Sequence, residues 1–177
     1  SLLTLAFEII SDPKFEIDQD TKVKIIHALS CSSGHLGIAG GQFFDLSLKK
    51  SEVDKETIID MQNKKTGALM GFCTEVAPLL SHKNELAKTF RDLGIKIGLL
   101  FQIADDFLDK YGKSETLGKP TQQDESKGKN TLIVHLGEAK TKALIADLKS
   151  EITNQLSSFS QTDELLNCIN FIIERKN

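Results

Sequence analysis

The stretch Phe101-Gln102-Ile103-Ala104-Asp105-Asp106-Phe107-Leu108-Asp109 packs three carboxylates into little more than one helical turn of an otherwise apolar run. In a helix, Asp105 and Asp109 stack at i and i+4, Asp106 lies about 100° round the axis, and Gln102 sits one turn before them. Like charges this close repel and raise one another's pKa, so the trio costs stability unless a cation neutralises it. Mg2+ is the natural cation, because it prefers oxygen ligands, keeps several waters and commonly joins one or two carboxylates to substrate phosphates; Mn2+ is the substitute. A solvated acidic face is the alternative, and this segment alone leaves the two open.

Lysines lie on both sides of the acidic run: Lys64-Lys65-Thr66 before it, Lys119 and Lys129 after it. A lysine ammonium is a compact point charge suited to phosphate oxygens, although each of these alone is an ordinary surface residue. Carboxylates for a metal and lysines for phosphate together supply what the ionisation of a diphosphate needs, since negative charge develops as the carbon–oxygen bond breaks.

Nearly every segment that must position these groups has a helical period, and no convincing strand is present, so the fold is expected to be all-α. The first helix ends near Ser11-Asp12-Pro13, where proline disfavours helix in the residue before it. Asp18 or Asp20 caps a second helix, predicted to run to Leu46 or Leu48 with Val23, Ile26 and Leu29 on its apolar face. It contains Gly34, Gly37, Gly40 and Gly41, each costing about 1 kcal/mol relative to alanine, for which close helix packing is the ordinary reason. Asp54 opens a helix that continues past Lys65-Thr66-Gly67 toward Pro78. The longest pattern runs from Asn84 to Tyr111 and makes the central helix. A polar loop from Gly118 to Asn130 follows; helices are predicted around Glu138 to Leu156 and Asp163 to Arg175.

The chain of 177 residues suits one domain, 1–177, with no internal repeat and no linker. Its composition, 40% hydrophobic and 27% charged, is that of an ordinary globular protein. A formal net charge of -3 gives no general field for nucleic acid. No apolar run reaches the ~20 residues of a membrane span. Cys31, Cys73 and Cys168 form no Cys-x-x-Cys pair and are expected to be buried, reduced thiols in the cytoplasm. Ser1 leads straight into Leu2-Leu3-Thr4-Leu5-Ala6-Phe7-Glu8-Ile9-Ile10, a helix already in progress, as expected of a chain cut inside a larger helical protein.

In these residues the chain resembles the trans-isoprenyl diphosphate synthases, bacterial farnesyl diphosphate synthases among them. Phe101-Gln102 with Asp105-Asp106-x-x-Asp109 is similar to the family's second aspartate-rich motif. Gly41-Gln42-x-x-Asp45-Leu46, Lys65-Thr66-Gly67-Ala68-Leu69, Gly118-Lys119, and Asp124 followed by Gly128-Lys129-x-Thr131 agree in order and spacing, as does the tail Ile172-Ile173-Glu174-Arg175-Lys176. The resemblance implies the carboxy-terminal part of an isoprenoid synthase-type helical bundle, and a homodimer. It implies that Asp105 and Asp109 bind Mg2+ bridging an allylic diphosphate, with Asp106 as a further ligand or a support behind them. Lys65, Lys119 and Lys129 hold the diphosphate. Thr66 and Gln102, with the backbone carbonyl of Lys65, face the allylic carbocation, while Gln42, Asp45 and Asp124 support the lysines and the wall of the cavity. Phe43, Phe44 and Phe101 line the cavity for the growing chain or pack in the core.

The implied reaction is head-to-tail condensation of isopentenyl diphosphate with dimethylallyl or geranyl diphosphate to give farnesyl diphosphate. Geranylgeranyl diphosphate is the alternative product, and a non-catalytic helical subunit that still binds diphosphate is the alternative class. A terpene cyclase fits the lysine-rich loop poorly. The family's first aspartate-rich motif and its arginines are not in the sequence, so the chain alone is expected to lack a complete active site. Pro120-Thr121 stands where many relatives have a more glycine-containing turn.

Overall fold

The structure, a computed structural model, describes residues 1–48, 53–111 and 131–174. Among them there are helices and no strand: α1 (Leu2–Ser11), α2 (Gln19–Ser33), α3 (Ile38–Ser47), α4 (Lys55–Gln62), a π-helical turn (Asn63–Gly67), α5 (Ala68–Leu80), α6 (Asn84–Tyr111), α7 (Leu132–Leu156) and α8 (Asp163–Glu174). The all-α expectation is borne out.

Helix starts follow the caps legible in the sequence. The Asp18 carboxylate accepts the Thr21 N–H at 2.9 Å and that of Asp54 accepts the Thr57 N–H at 2.7 Å, each satisfying a first-turn amide with no partner in its own helix. Hydrogen bonds from the Thr21 backbone to Asp18, and from the Thr57 side chain and backbone to Asp54, hold both carboxyls below their ordinary pKa.

The expected single helix from Asp18 to Leu46 is two helices. The chain leaves helical geometry between Ser33 and Ile38, where a Cβ on Gly37 would lie 1.9 Å from the Ser32 carbonyl oxygen. The glycines therefore serve a break as well as packing. The buried face of α2 is also rotated from the expected one, carrying Lys22, Ile25, Ala28, Leu29 and Ser32, while Val23 is exposed. Lys22 is buried because its Nζ donates to the Asp12 carbonyl oxygen at 2.9 Å, capping the chain that leaves α1.

The long helix α6 is the axis of the molecule, as its period predicts. Leu93, Leu100 and Ile103 are completely buried on it, each stabilising by roughly 1.5–3 kcal/mol relative to exposure. They meet Ile58 and Met61 of α4, Leu132, Ile152 and Leu156 of α7, and Ile169 of α8 in one core. The most extensive pairing is α5 with α6. Two glycines on each side let those backbones approach: a Cβ on Gly94 would lie 2.4 Å from the Met70 carbonyl oxygen, and one on Gly98 would lie 2.6 Å from the Gly67 Cα. The Thr74 hydroxyl uses this closeness to donate to the Phe90 carbonyl oxygen at 2.6 Å. Arg91 and Glu75 close the same interface with an ion pair at 2.7 Å.

Helix α7 is not continuous. Gly137 has φ 74, a left-handed conformation suited to glycine, and separates the buried turn at Leu132 and Ile133 from the helix expected to start at Glu138. No helix among the described residues is long and apolar enough to cross a membrane.

The cysteine expectation is corrected. Cys73 and Cys168 are exposed and Cys31 is half-buried; all three are free thiols. Cys73 and Cys168, with their apolar neighbours, line an open cleft rather than a closed core, so a hydrophobic sequence context here does not mean burial. Partial desolvation still pushes the Cys73 thiol above its ordinary pKa.

Candidate active site

The polar site lies where three elements cross: the carboxy-terminal half of α6, the π-helical turn, and α3. One residue more than an α-helix needs is accommodated in the turn Asn63–Gly67, which re-aims the side chains that follow. Gly41 of α3 sits against this turn, where a Cβ would meet the Lys65 backbone nitrogen at 2.3 Å. This contact brings Asp45, one turn further along α3, to Lys65: the Asp45 Oδ2 and Lys65 Nζ pair at 2.5 Å, both only partly exposed.

On the other side, Gly98 lets α6 lie on Gly67 and the end of Thr66. One turn on, Gln102 Oε1 accepts the Thr66 hydroxyl at 3.2 Å, and Gln102 Nε2 donates to Asp106 Oδ1 at 2.9 Å. Asp106, 4% exposed, accepts a second amide N–H on its other oxygen, from Gln62 Nε2 at 3.2 Å. Asp45, Met61, Gln62, Lys65, Gln102, Asp106 and Thr131 surround a cavity of about 30 Å3, room for a water molecule or two.

Lys65 also borders a much larger cleft of about 530 Å3, which Thr66 lines beside it. Its walls are apolar and come from α5, α6 and α8, with Leu69, Met70, Ile97, Leu165 and Ile172 among them. Phe43 and Phe44 do not line this cleft, and Phe44 packs against the core, the other role expected of it. Phe43 and Phe44 line a separate recess with His35, Asp60 and Lys64, where the Lys64 ammonium sits 5.8 Å from the Phe44 ring centre.

Of the residues predicted to form the site, the fold gathers Lys65, Thr66, Gln102, Asp106 and Asp45. Asp105 and Asp109 lie one turn apart on α6, Asp105 half-buried and Asp109 buried. Gln42 is exposed on α3 and borders none of these cavities. Lys119, Asp124 and Lys129 lie outside the described residues. Gln62 was not foreseen, because it stands in no charged or glycine-rich pattern; its only signal is a polar residue where the α4 period calls for an apolar one.

The donor set constrains any metal. Both Asp106 oxygens already accept amide N–H groups, and among the described residues no three His, Cys, Asp or Glu side chains converge on one point. An all-protein cage is thus not built by these residues. Asp105 and Asp109 suit a divalent ion that takes one or two carboxylates and completes its shell with waters and phosphate oxygens, the habit of Mg2+.

The family model of the polyprenyl synthetases matches residues 1–169. The chain is 33% identical to the farnesyl diphosphate synthase of Escherichia coli (strain K12), covering 99% of this chain and 61% of that protein. It is 31% identical to geranylgeranyl pyrophosphate synthase 4 of Arabidopsis thaliana, covering 99% and 48%. Among solved structures, the geranyltransferase of Helicobacter pylori complexed with magnesium and isoprenyl diphosphate matches with a TM-score of 0.77 at 27% identity, over 96% of this chain and 56% of that one. The chain belongs to the polyprenyl synthetase family, as the ordered motifs indicated. It spans about half to three-fifths of the length of these relatives.

Proposed function

We propose that the protein carrying this chain is a short-chain prenyltransferase, joining isopentenyl diphosphate head-to-tail to an allylic diphosphate, with farnesyl diphosphate as the expected product. The observation that carries it is the position of Lys65, whose side chain, paired with Asp45, borders both the small polar cavity beside Asp106 and an apolar cleft of about 530 Å3 that Thr66 also lines. A molecule with a charged head and a long hydrocarbon tail needs both environments at that distance.

In this proposal the allylic carbon–oxygen bond breaks and the diphosphate leaves with the electron pair. Mg2+ at Asp105 and Asp109 would neutralise the charge gathering on the leaving group. Lys65, held by Asp45, adds a fixed positive charge beside it. The oxygens of Thr66 and Gln102 would face the allylic cation, and the apolar walls of the cleft would limit the water that reaches it. The double bond of isopentenyl diphosphate then attacks the cation, and a proton lost from the new adduct goes to the departed diphosphate. A homodimer, a single domain over 1–177 and a cytoplasmic location belong to the same proposal.

Support comes from relatives named as farnesyl and geranylgeranyl synthases. The test is to incubate the protein with Mg2+, isopentenyl diphosphate and either dimethylallyl or geranyl diphosphate, and to identify products by mass spectrometry. Farnesyl diphosphate is expected. A geranylgeranyl product corrects the chain length alone; a cyclic hydrocarbon, or binding of diphosphate with no product from folded protein, contradicts prenyl elongation.

A further inference from the structure

Four glycines fall between the end of α2 and the first turn of α3, and they do not share one task. A Cβ on Gly34, Gly37 or Gly40 would meet a carbonyl oxygen of its own segment, at Ser30, Ser32 and His35 respectively. Those three serve the break before α3. Gly41 differs, because its neighbours lie across the fold: a Cβ there would stand 2.3 Å from the Lys65 nitrogen, 2.7 Å from the Lys65 Cα and 2.8 Å from the Lys64 carbonyl carbon. All three are backbone atoms, so no change of rotamer makes room for a methyl.

Asp45 stands four residues on from Gly41, on the same face of α3 and about 6 Å further along its axis. It holds the other end of the same lysine, with its Oδ2 2.5 Å from Nζ. Helix α3 thus touches Lys65 twice, at the backbone and at the ammonium, and the methylenes between lie along the turn from Gly41 to Asp45. A free lysine samples many rotamers and surrenders them when it binds an anion. One held at both ends has surrendered them already, in folding.

We propose that Gly41 is a positioning residue for Lys65: it seats α3 on the lysine backbone, and the helix acts as a splint that holds the ammonium, through Asp45, at one place between the polar cavity and the apolar cleft. That the anion met there is a diphosphate rests on the function proposed above; the splint itself does not.

Gly41→Ala lifts α3 from the turn, whereas Asp45→Glu lengthens the carboxylate arm by one methylene, so each change should correct the other. With inorganic diphosphate and MgCl2 as the probe, Gly41→Ala is expected to raise Kd roughly threefold to tenfold, the range set by immobilising one long side chain on binding. Asp45→Glu alone pushes the ammonium from its place and should raise Kd as well. The double variant should bind within about twofold of wild type. This reversal, in which Asp45→Glu weakens binding beside glycine and restores it beside alanine, is not produced by a general loss of stability.

Independently of diphosphate, the NMR signal of the Lys65 ammonium, identified by its loss in Lys65→Met, should be protected from solvent exchange in the wild type, lose protection in Gly41→Ala and regain it in the double variant. Wild-type protein that binds no diphosphate while this signal follows the expected pattern excludes the proposed substrate and retains the splint. Additive effects in the double variant, or Lys65 protection unchanged by Gly41→Ala, overturn the inference. Where Gly41→Ala does not fold, Asp45→Asn decides: loss of Lys65 protection at an unchanged melting temperature supports the splint, and protection that survives without the carboxylate overturns it.

Discussion

Asp105→Asn is expected to lower Mg2+-dependent turnover roughly 10²–10³-fold while leaving the melting temperature nearly unchanged. Asparagine keeps the shape of the side chain and one acceptor oxygen, so packing around the half-buried position is preserved. What disappears is the charge proposed to attract a divalent ion. Side chains kept for stability show the opposite pattern. Steady-state rates across a Mg2+ titration, with a thermal melt of the same samples, distinguish the cases: normal turnover with a large fall in melting temperature contradicts the role assigned to Asp105.

The second large effect belongs to Gly98. In an exposed helix interior, Gly→Ala stabilises by roughly 0.5–1 kcal/mol through backbone entropy. At Gly98 the added methyl would lie 2.6 Å from the Gly67 Cα and 3.1 Å from its nitrogen, backbone atoms that cannot swing aside. Overpacking of this kind typically costs 1–3 kcal/mol, which outweighs the propensity gain. Gly98→Ala should therefore lower the melting temperature by several degrees, at roughly 2–4 °C per kcal/mol for a chain of this size. It should also lower turnover, since separating α6 from the turn draws Gln102 away from Thr66. A calorimetric melt settles the sign: an unchanged or higher midpoint would mean that the contact between α6 and the π-helical turn is looser than described.

These two positions show what the sequence could and could not say. Asp105 and Asp109 were legible because stacking at i and i+4 is a property of one helix, and the period of α6 was strong enough to identify that helix. The caps at Asp18 and Asp54 were legible for the same local reason. The pairing of Lys65 with Asp45 was implied only by resemblance, since it depends on Gly41 packing against a π-helical turn, a geometry that no period encodes. Gln62 escaped because its hydrogen bond to Asp106 exists only across α4 and α6. The rotated face of α2 and the break before α3 share a cause: closely spaced glycines interrupt the helix and end the register that the apolar spacing assumed. The cysteines misled because the apolar surface around Cys73 and Cys168 forms a cleft, and a sequence does not distinguish the wall of a cleft from a core.

The most direct test of the central claim is a crystal structure of the protein with MgCl2 and a bisphosphonate, a diphosphate mimic that cannot ionise. Metal density shared between the bisphosphonate oxygens and the carboxylates of Asp105 and Asp109, with the Lys65 ammonium on the same anion, is the predicted result. Ordered bisphosphonate bound elsewhere, with both carboxylates turned to bulk solvent and no metal beside them, would contradict it.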